Sequence, residues 1–409
     1  MRAISLLRSP KIWAFTLIGA VLALVLTAGY LGGSLDTGVP GQRVPIAWAN
    51  ADRGDGGHDF GAALTEQVRT GGQAGAAHWL PVEDEAAARR LLTGGTAYAA
   101  VLIPPDFSAR IAALGDSPGT PSPVRVTVLT NPIAGPAASG TATGTAQAVL
   151  AGMSETLGGK LPVADPLKVT LVPVGPVPPH SAGGMAAFYY TLVLILTGFL
   201  LAQVLHSAVD GVLGFAPREF LHKRATHPPF PINRVQTLLA KAALMIGCSI
   251  VAATVIETVA VFALGMPAEH PVGLWLFSML AVATAGVLPL VLLAVFGSPG
   301  ALLATVILVV LGVPSSGGAF PPELQPPLFR RLGDVLPMRH TTDATRDLIF
   351  PVTADLTGSV LVVAAWLVVS LAAGLSVTAF YDRTGRHRTS VQERGRLLPV
   401  PAPEGQYRS

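Results

Sequence analysis

The sequence predicts an α-helical integral membrane protein with six transmembrane helices and an extracytoplasmic α/β domain between helices one and two. Three observations predict it. Only 12% of the 409 residues are charged, against about 25% in average soluble proteins, and mean hydropathy is +0.55. The apolar excess falls in long runs, and about 20 helical residues cross a hydrocarbon core of about 30 Å. The one long polar block alternates strand-like with helix-like segments, the pattern of an α/β layer.

Residues 1–11 carry Arg2, Arg8 and Lys11 and no acid. They read as a cytoplasmic N-terminus, either an interfacial helix or a charged anchor. Residues 12–34 form the first apolar run. The apolar region of a signal peptide is about 7–15 residues, so the run reads as a retained helix. Small residues at Gly29–Ser34 keep cleavage as the alternative.

Residues 35–183 form the polar block. VPIAWAN (44–50), HWLPV (78–82), YAAVLIP (98–104), VRVTVLT (124–130) and LKVTLVPV (167–174) read as strands. Between them, Asp59–Val68, Glu83–Leu92, a short segment from Asp106 to Leu114, and Ala137–Leu157 read as helices. Gly94-Gly95 stops the second of these helices, and Asp106 is the expected cap of the third. Asp52, Asp55 and Asp59 are spaced like metal ligands, but the distal glutamate of a calcium loop does not follow. A solvated turn is the expectation, with no cofactor. Proline-rich chain at 175–184 leads back to the membrane.

Residues 184–381 form a five-helix membrane domain, with apolar runs near Met185–His206, Thr237–Leu264, Val272–Phe296, Gly300–Val313 and Leu356–Phe380. Pro289 predicts a kink, and Gly297-Ser298-Pro299-Gly300 a tight turn. Gly312–Phe350 interrupts the series. It is too polar and proline-rich to cross a membrane, and its apolar content is high for a solvated loop. Leu328, Leu332, Val335 and Leu336 have helical spacing, Leu336-Pro337-Met338 breaks that helix, and Thr341–Ile349 reads as a second. An extracytoplasmic helical segment over 314–355 follows, capping the bundle. Residues 382–409 form a basic tail.

Lysine and arginine set the orientation. The N-terminus, loop 208–236 (Arg218, Lys223, Arg224, Arg234) and the tail (Arg383, Arg386, Arg388, Arg394, Arg396, Arg408) are basic. All three are placed in the cytoplasm, leaving 35–183 and 314–355 outside. Arg330, Arg331, Arg339 and Arg346 oppose this, among the acids Glu323, Asp334, Asp343 and Asp347.

Several chemistries find no support. The single cysteine, Cys248, allows no intrachain disulfide. Gly158-Gly159-Lys160 lacks the first glycine and the Ser/Thr of a P-loop, and no H-E-x-x-H or G-x-S-x-G occurs. No enzymatic activity is expected, and a net charge of +3 does not suggest nucleic acid.

The arrangement resembles the YhgE/Pip-like branch of type-2 ABC exporter permeases over nearly the whole chain. The resemblance is sharpest in IAWANADRG (46–54), YAAVLIPPDFSARI (98–111) and VTVLTNP (126–132), and in SSGGAFPPELQPPLFRRLGDVLPMRHTTDATRDLI (315–349). It implies a subunit of the bacterial plasma membrane, a homodimer in contact with membrane lipid, driven by a separate ATPase and exporting an amphipathic or lipid-like substrate. The rival readings are a phage-infection-protein-like receptor or scaffold, and an assembly factor for a secretion apparatus. On the permease reading, Arg218, Glu219, Lys223 and Arg224 are the ATPase-docking candidates. The alternative for that loop is a basic surface that fixes topology or binds anionic lipid. Glu257 is the one acid within an apolar run, a substrate-path candidate or an interfacial or paired structural group. Ser315, Ser316, Gly317, Gly318, Phe320, Pro321 and Pro337 are the outer-gate candidates.

Overall fold

The computed structural model describes residues 43–70, 77–116, 122–159, 161, 163, 165–215, 218–220, 223–225, 230–319, 321–351 and 356–385, with Leu24 and Thr27. The rest of the first apolar run, the charged N-terminus, Phe320 and most of the basic tail therefore lie outside the described residues. Two units divide the chain. One holds residues up to Leu192 with Glu257–Leu274 and Val309–Val360; the other holds Val193–Ile256, Trp275–Leu308 and the chain from Leu361.

In the first unit, five strands form one sheet: β1 (Pro45–Asn50), β2 (His78–Val82), β3 (Ala99–Ile103), β4 (Val124–Thr130) and β5 (Leu167–Pro173), in the order β2-β1-β3-β4-β5. Only β3 and β4 pair antiparallel; the other neighbours are parallel. Parallel neighbours need crossover connections, and the helices Phe60–Thr70, Glu85–Thr93 and Pro136–Gly158 supply them. Alternation along β1 sorts the faces. Ile46 and Trp48 join Val101, Phe107, Leu150 and Met153 in the larger core. Ala47 joins Ala100, Ala88 and Leu92 in the smaller core on the other face. Helix Pro136–Gly158 reads as weakly amphipathic because alanines (Ala138, Ala142, Ala146) form much of its buried stripe.

The aspartate-rich turn has a structural role. Asp55 and His58 exchange backbone hydrogen bonds of 2.8 Å, and Gly56 and Gly57 between them both have positive φ, as a tight two-residue turn requires. Asp59 Oδ1 accepts the Ala62 amide at 2.7 Å, capping helix Phe60–Thr70. Asp52 accepts the Gly61 amide at 3.0 Å and the Ser108 amide at 3.0 Å, so one carboxylate serves the first turns of two helices. This corrects the expectation for Asp106. The Ser108 amide goes to Asp52, and Asp106 instead pairs with Arg110 Nε at 2.6 Å.

Five helices are long and apolar enough to cross a membrane: Ala186–Val212, Arg234–Ala263, Pro271–Phe296, Ser298–Ser315 and Leu356–Arg383. Two contain a π-helical stretch, at Thr258–Ala263 and Val306–Leu311. In the second unit, Pro271–Phe296 is the central helix, with 67% of its apolar window buried against 17–22% for the 186–212, 234–263 and 356–383 helices. Glycines bring the neighbours close. A Cβ on Gly198 would lie 2.5 Å from the Val282 carbonyl oxygen, one on Gly286 2.5 Å from Met245, and one on Gly374 2.7 Å from Val291. Small residues let membrane helices approach closely where packing alone holds them. The tight turn expected at 297–300 is present: Gly297 has φ 69, and Gly300 lies against the Leu292 carbonyl. The helix runs through Pro289.

Candidate functional site

The interrupting segment belongs to the first unit. Its chain passes from Gly312–Ser315 through a single 3-10 turn, Pro322–Leu324, to helices Pro327–Gly333 and Pro337–Ile349. Two expectations are corrected. The second helix starts at Pro337, not Thr341, because proline's fixed φ and missing N–H suit a first helical position. The face expected from Leu328, Leu332, Val335 and Leu336 is not the buried one. Of its four residues only Leu336 is buried; Leu328 and Val335 are 62% exposed, and Phe329, outside the expected set, is buried in their place. The helix ends at Gly333, so the spacing beyond it is not helical.

The gate candidates fall into two groups. Ser315 and Ser316 are buried, and their hydroxyls donate to their own backbone: Ser315 to the Leu311 carbonyl, Ser316 to that of Val313 at 2.7 Å. Gly317, Gly318 and Pro321 instead line a cavity of about 290 Å³. Gly317 has φ 72, and a Cβ on Gly318 would lie 2.1 Å from the Phe188 ring, so the wall requires glycine at both positions. Pro337, in neither group, is buried at its helix start.

Small residues, among them Gly94, Ala134, Ala137 and Ala138, form part of the remaining wall, and a group of polar and ionic side chains forms the rest. Tyr98 immediately precedes β3, Glu323 comes from the 3-10 turn, and Arg339, Asp343, Arg346 and Asp347 come from one side of helix Pro337–Ile349. The Tyr98 hydroxyl donates to Glu323 Oε2 at 3.3 Å. Burial, followed by the Glu323 charge, pushes the Tyr98 phenol well above its ordinary value, so it stays a donor at any physiological pH. Arg339 Nη1 donates to Asp334 Oδ1 at 2.6 Å and Arg346 Nη1 to Asp343 Oδ1 at 3.1 Å. Two of the four arginines that oppose the orientation rule are thus paired with acids.

The second unit holds a charged cluster that the sequence reading passed over. Asp210 and Lys241 are each 3% exposed, and Lys241 Nζ lies 2.6 Å from Asp210 Oδ1. His206 joins both, its Nδ1 3.0 Å from Lys241 Nζ and its Nε2 3.3 Å from Asp210 Oδ2. Glu257 is therefore not the one acid in an apolar helix. Helix Ala186–Val212 runs beyond the end expected near His206. The available signal was spacing: His206 and Asp210 are four apart on a helix, and Lys241 sits inside the next apolar run. Glu257 itself is 6% exposed at the last α-helical position before the π-helical stretch.

The docking candidates lie in a two-stranded hairpin, β6 (Arg218–Phe220) and β7 (Lys223–Ala225), which sets Arg218 opposite Ala225 and Glu219 opposite Arg224. The side chains of this hairpin lie outside the described residues. Just beyond it, the Asp382 carboxylate accepts the Arg234 and Val235 amides at 3.1 Å each, capping the next helix from the end of Leu356–Arg383. Arg234 also lies over the Tyr381 ring at 5.3 Å.

Neither a curated protein nor a solved structure matches the chain. The family model described as ABC-2 family transporter protein matches residues 10–376, which includes the α/β domain, the described apolar helices except the end of the last, and the interrupting segment. With most of its length matched and five helices fit to span a membrane, the chain belongs to the ABC-2 transporter family and is a multi-pass membrane permease of an ABC transporter.

Proposed function

We propose that the chain is the membrane subunit of a bacterial exporter, works as a homodimer, and moves an amphipathic or lipid-like substrate outward. Family membership implies an ABC transporter with a separate ATPase. In this reading, ATP hydrolysis resides wholly in that partner. Both termini and the hairpin face the cytoplasm, a first transmembrane helix at 12–34 makes six, and the α/β domain and 312–350 segment lie outside. The YhgE/Pip-like assignment rests on the resemblance of residues 46–54, 98–111, 126–132 and 315–349.

The observation that carries the proposal is the braced base of the β6–β7 hairpin. Asp210–Lys241 joins the helices on either side of it, and Asp382 fixes the start of the second. A docking element transmits force only if its base resists bending, and two polar clamps provide that: one links the last turn of helix Ala186–Val212 to a residue about two turns into the next helix, and the other holds that helix's first residues. The test is reconstitution of the complex with its ATPase. Replacing residues 218–225 by a Gly/Ser linker should abolish substrate-stimulated ATPase activity and leave the chain's folding intact. Purification with no nucleotide-binding subunit, together with unchanged export in a deletion strain, would instead favour an envelope receptor.

A further inference from the structure

The cavity in the first unit has unspent groups of both charges. Glu323 has no arginine or lysine within ion-pair distance among the described residues; the partner it does have is the neutral Tyr98 hydroxyl. Arg339 is committed to Asp334. Arg346, whose side chain is 13% exposed, spends Nη1 on Asp343 and leaves its buried Nε without a hydrogen-bond partner. Leaving such groups unpaired is costly, and ligand sites combine an enclosed wall with a few convergent polar groups. A lone anion entering here meets Glu323, Asp343 and Asp347, and a lone cation meets two arginines. A ligand with both charges satisfies each side.

We propose that this cavity binds a zwitterion: an ammonium group facing Glu323 and a phosphate or carboxylate facing Arg346, with the Tyr98 hydroxyl between them. Its volume of about 290 Å³ is near the lower limit of small-molecule pockets, about 300 Å³. It therefore accepts a headgroup or a dipeptide-sized molecule and excludes a whole lipid. The ligand is an aminophosphate headgroup still attached to its lipid or a soluble zwitterion, and both present the same chemistry. That the cavity is a station on an export route rests on the permease reading; that it binds a zwitterion rests on the cavity alone.

The test is calorimetric titration of the full-length protein in phosphatidylglycerol nanodiscs without any ATPase. Glycerophosphoethanolamine should bind at least tenfold more tightly than inorganic phosphate or ethanolamine. Glu323→Gln and Arg346→Gln should each weaken it about tenfold or more, the scale of one charge-assisted hydrogen bond. Arg346→Lys, which keeps the charge, and Ala137→Phe, which fills the cavity from helix Pro136–Gly158, guard against a folding defect in Arg346→Gln. The first should retain part of the affinity and the second should abolish binding. Equal binding of phosphate or ethanolamine alone, no measurable binding, or indifference to Glu323→Gln and Ala137→Phe would overturn the proposal. Doping the discs with phosphatidylethanolamine identifies the source: competition with the soluble probe supports a lipid headgroup, and its absence supports a soluble zwitterion. A failure of ATPase coupling would leave this titration unchanged, so the two proposals fail separately.

Discussion

Removing either partner of the Asp210–Lys241 pair should destabilise the protein far more than removing both. The two groups are 2.6 Å apart with side chains 5% and 3% exposed. At an effective dielectric of about 20, their attraction is about 6 kcal/mol. Burial costs several kcal/mol per ion, so the pair itself contributes little net stability. A single replacement removes the attraction and keeps one desolvated charge, at a cost of about 3–5 kcal/mol. His206 contacts both groups and offers the survivor a hydrogen bond, which sets the expectation near 3 kcal/mol. Asp210→Asn and Lys241→Met should each lose about that much, and the double variant should lie within about 2 kcal/mol of the parent. Arg110→Gln, which breaks an exposed pair with side chains 56% and 47% exposed, should cost less than about 1 kcal/mol. Unfolding in mixed micelles with rising sodium dodecyl sulfate measures all four. Single losses under about 1 kcal/mol, or a double variant equal to the sum of the singles, would refute the account.

Other outcomes follow from local geometry. Gly198→Leu should loosen the packing on the central helix, since even a Cβ would lie 2.5 Å from the Val282 carbonyl. The expected cost is about 1–3 kcal/mol in the same micelle assay. Gly318→Ala should be destabilising and Phe188→Leu should rescue part of the loss, because the clash is with that ring; equal losses with and without the second change would count against it. Asp52→Ala should cost about 1–2 kcal/mol and raise amide exchange at Gly61 and Ser108 together. Burial raises the Asp52 pKa, but hydrogen bonds from Ser108, Gly61 and Gly54 outweigh it and hold the carboxyl below its ordinary value. Its stabilisation is therefore complete above the unfolded value near 3.8 and lost as pH falls through the lower folded one. Thermal melts of the parent should decline over that acid window more steeply than those of Asp52→Ala.

The α/β domain was legible because each β-strand combines β-branched or aromatic residues with turn signals, and Gly94-Gly95 ends a helix where expected. The apolar helices were legible by length alone. Side-chain traffic across the fold was harder to read. Nothing local in the sequence directs the Ser108 amide to Asp52, 56 residues away, over the adjacent Asp106. Helix Pro337–Ile349 looks polar but buries Thr341 and Thr342, because each hydroxyl donates to the carbonyl four residues back, at 2.8 and 3.0 Å, and presents only its methyl outward. Hydropathy assigns those residues to solvent; the geometry makes them core. The cavity escaped for a related reason: its walls come from the chain just before β3, a 3-10 turn and the helices Pro136–Gly158 and Pro337–Ile349, which no sequence spacing connects.

The two π-helical stretches lie where the chain changes from one contact unit to the other, at Glu257 and Val309. A π turn carries more residues per turn than an α turn, so it stores chain length without adding rise. Tightening one to α would turn every later side chain by about 100°, the angle one residue occupies in a helix. After Val306–Leu311, the residues turned would be Gly312–Ser315, next to Gly317 and Gly318 of the cavity wall. A shortening of a single residue there would therefore act as a rotation, re-aiming a wall that no substitution in the cavity itself had touched.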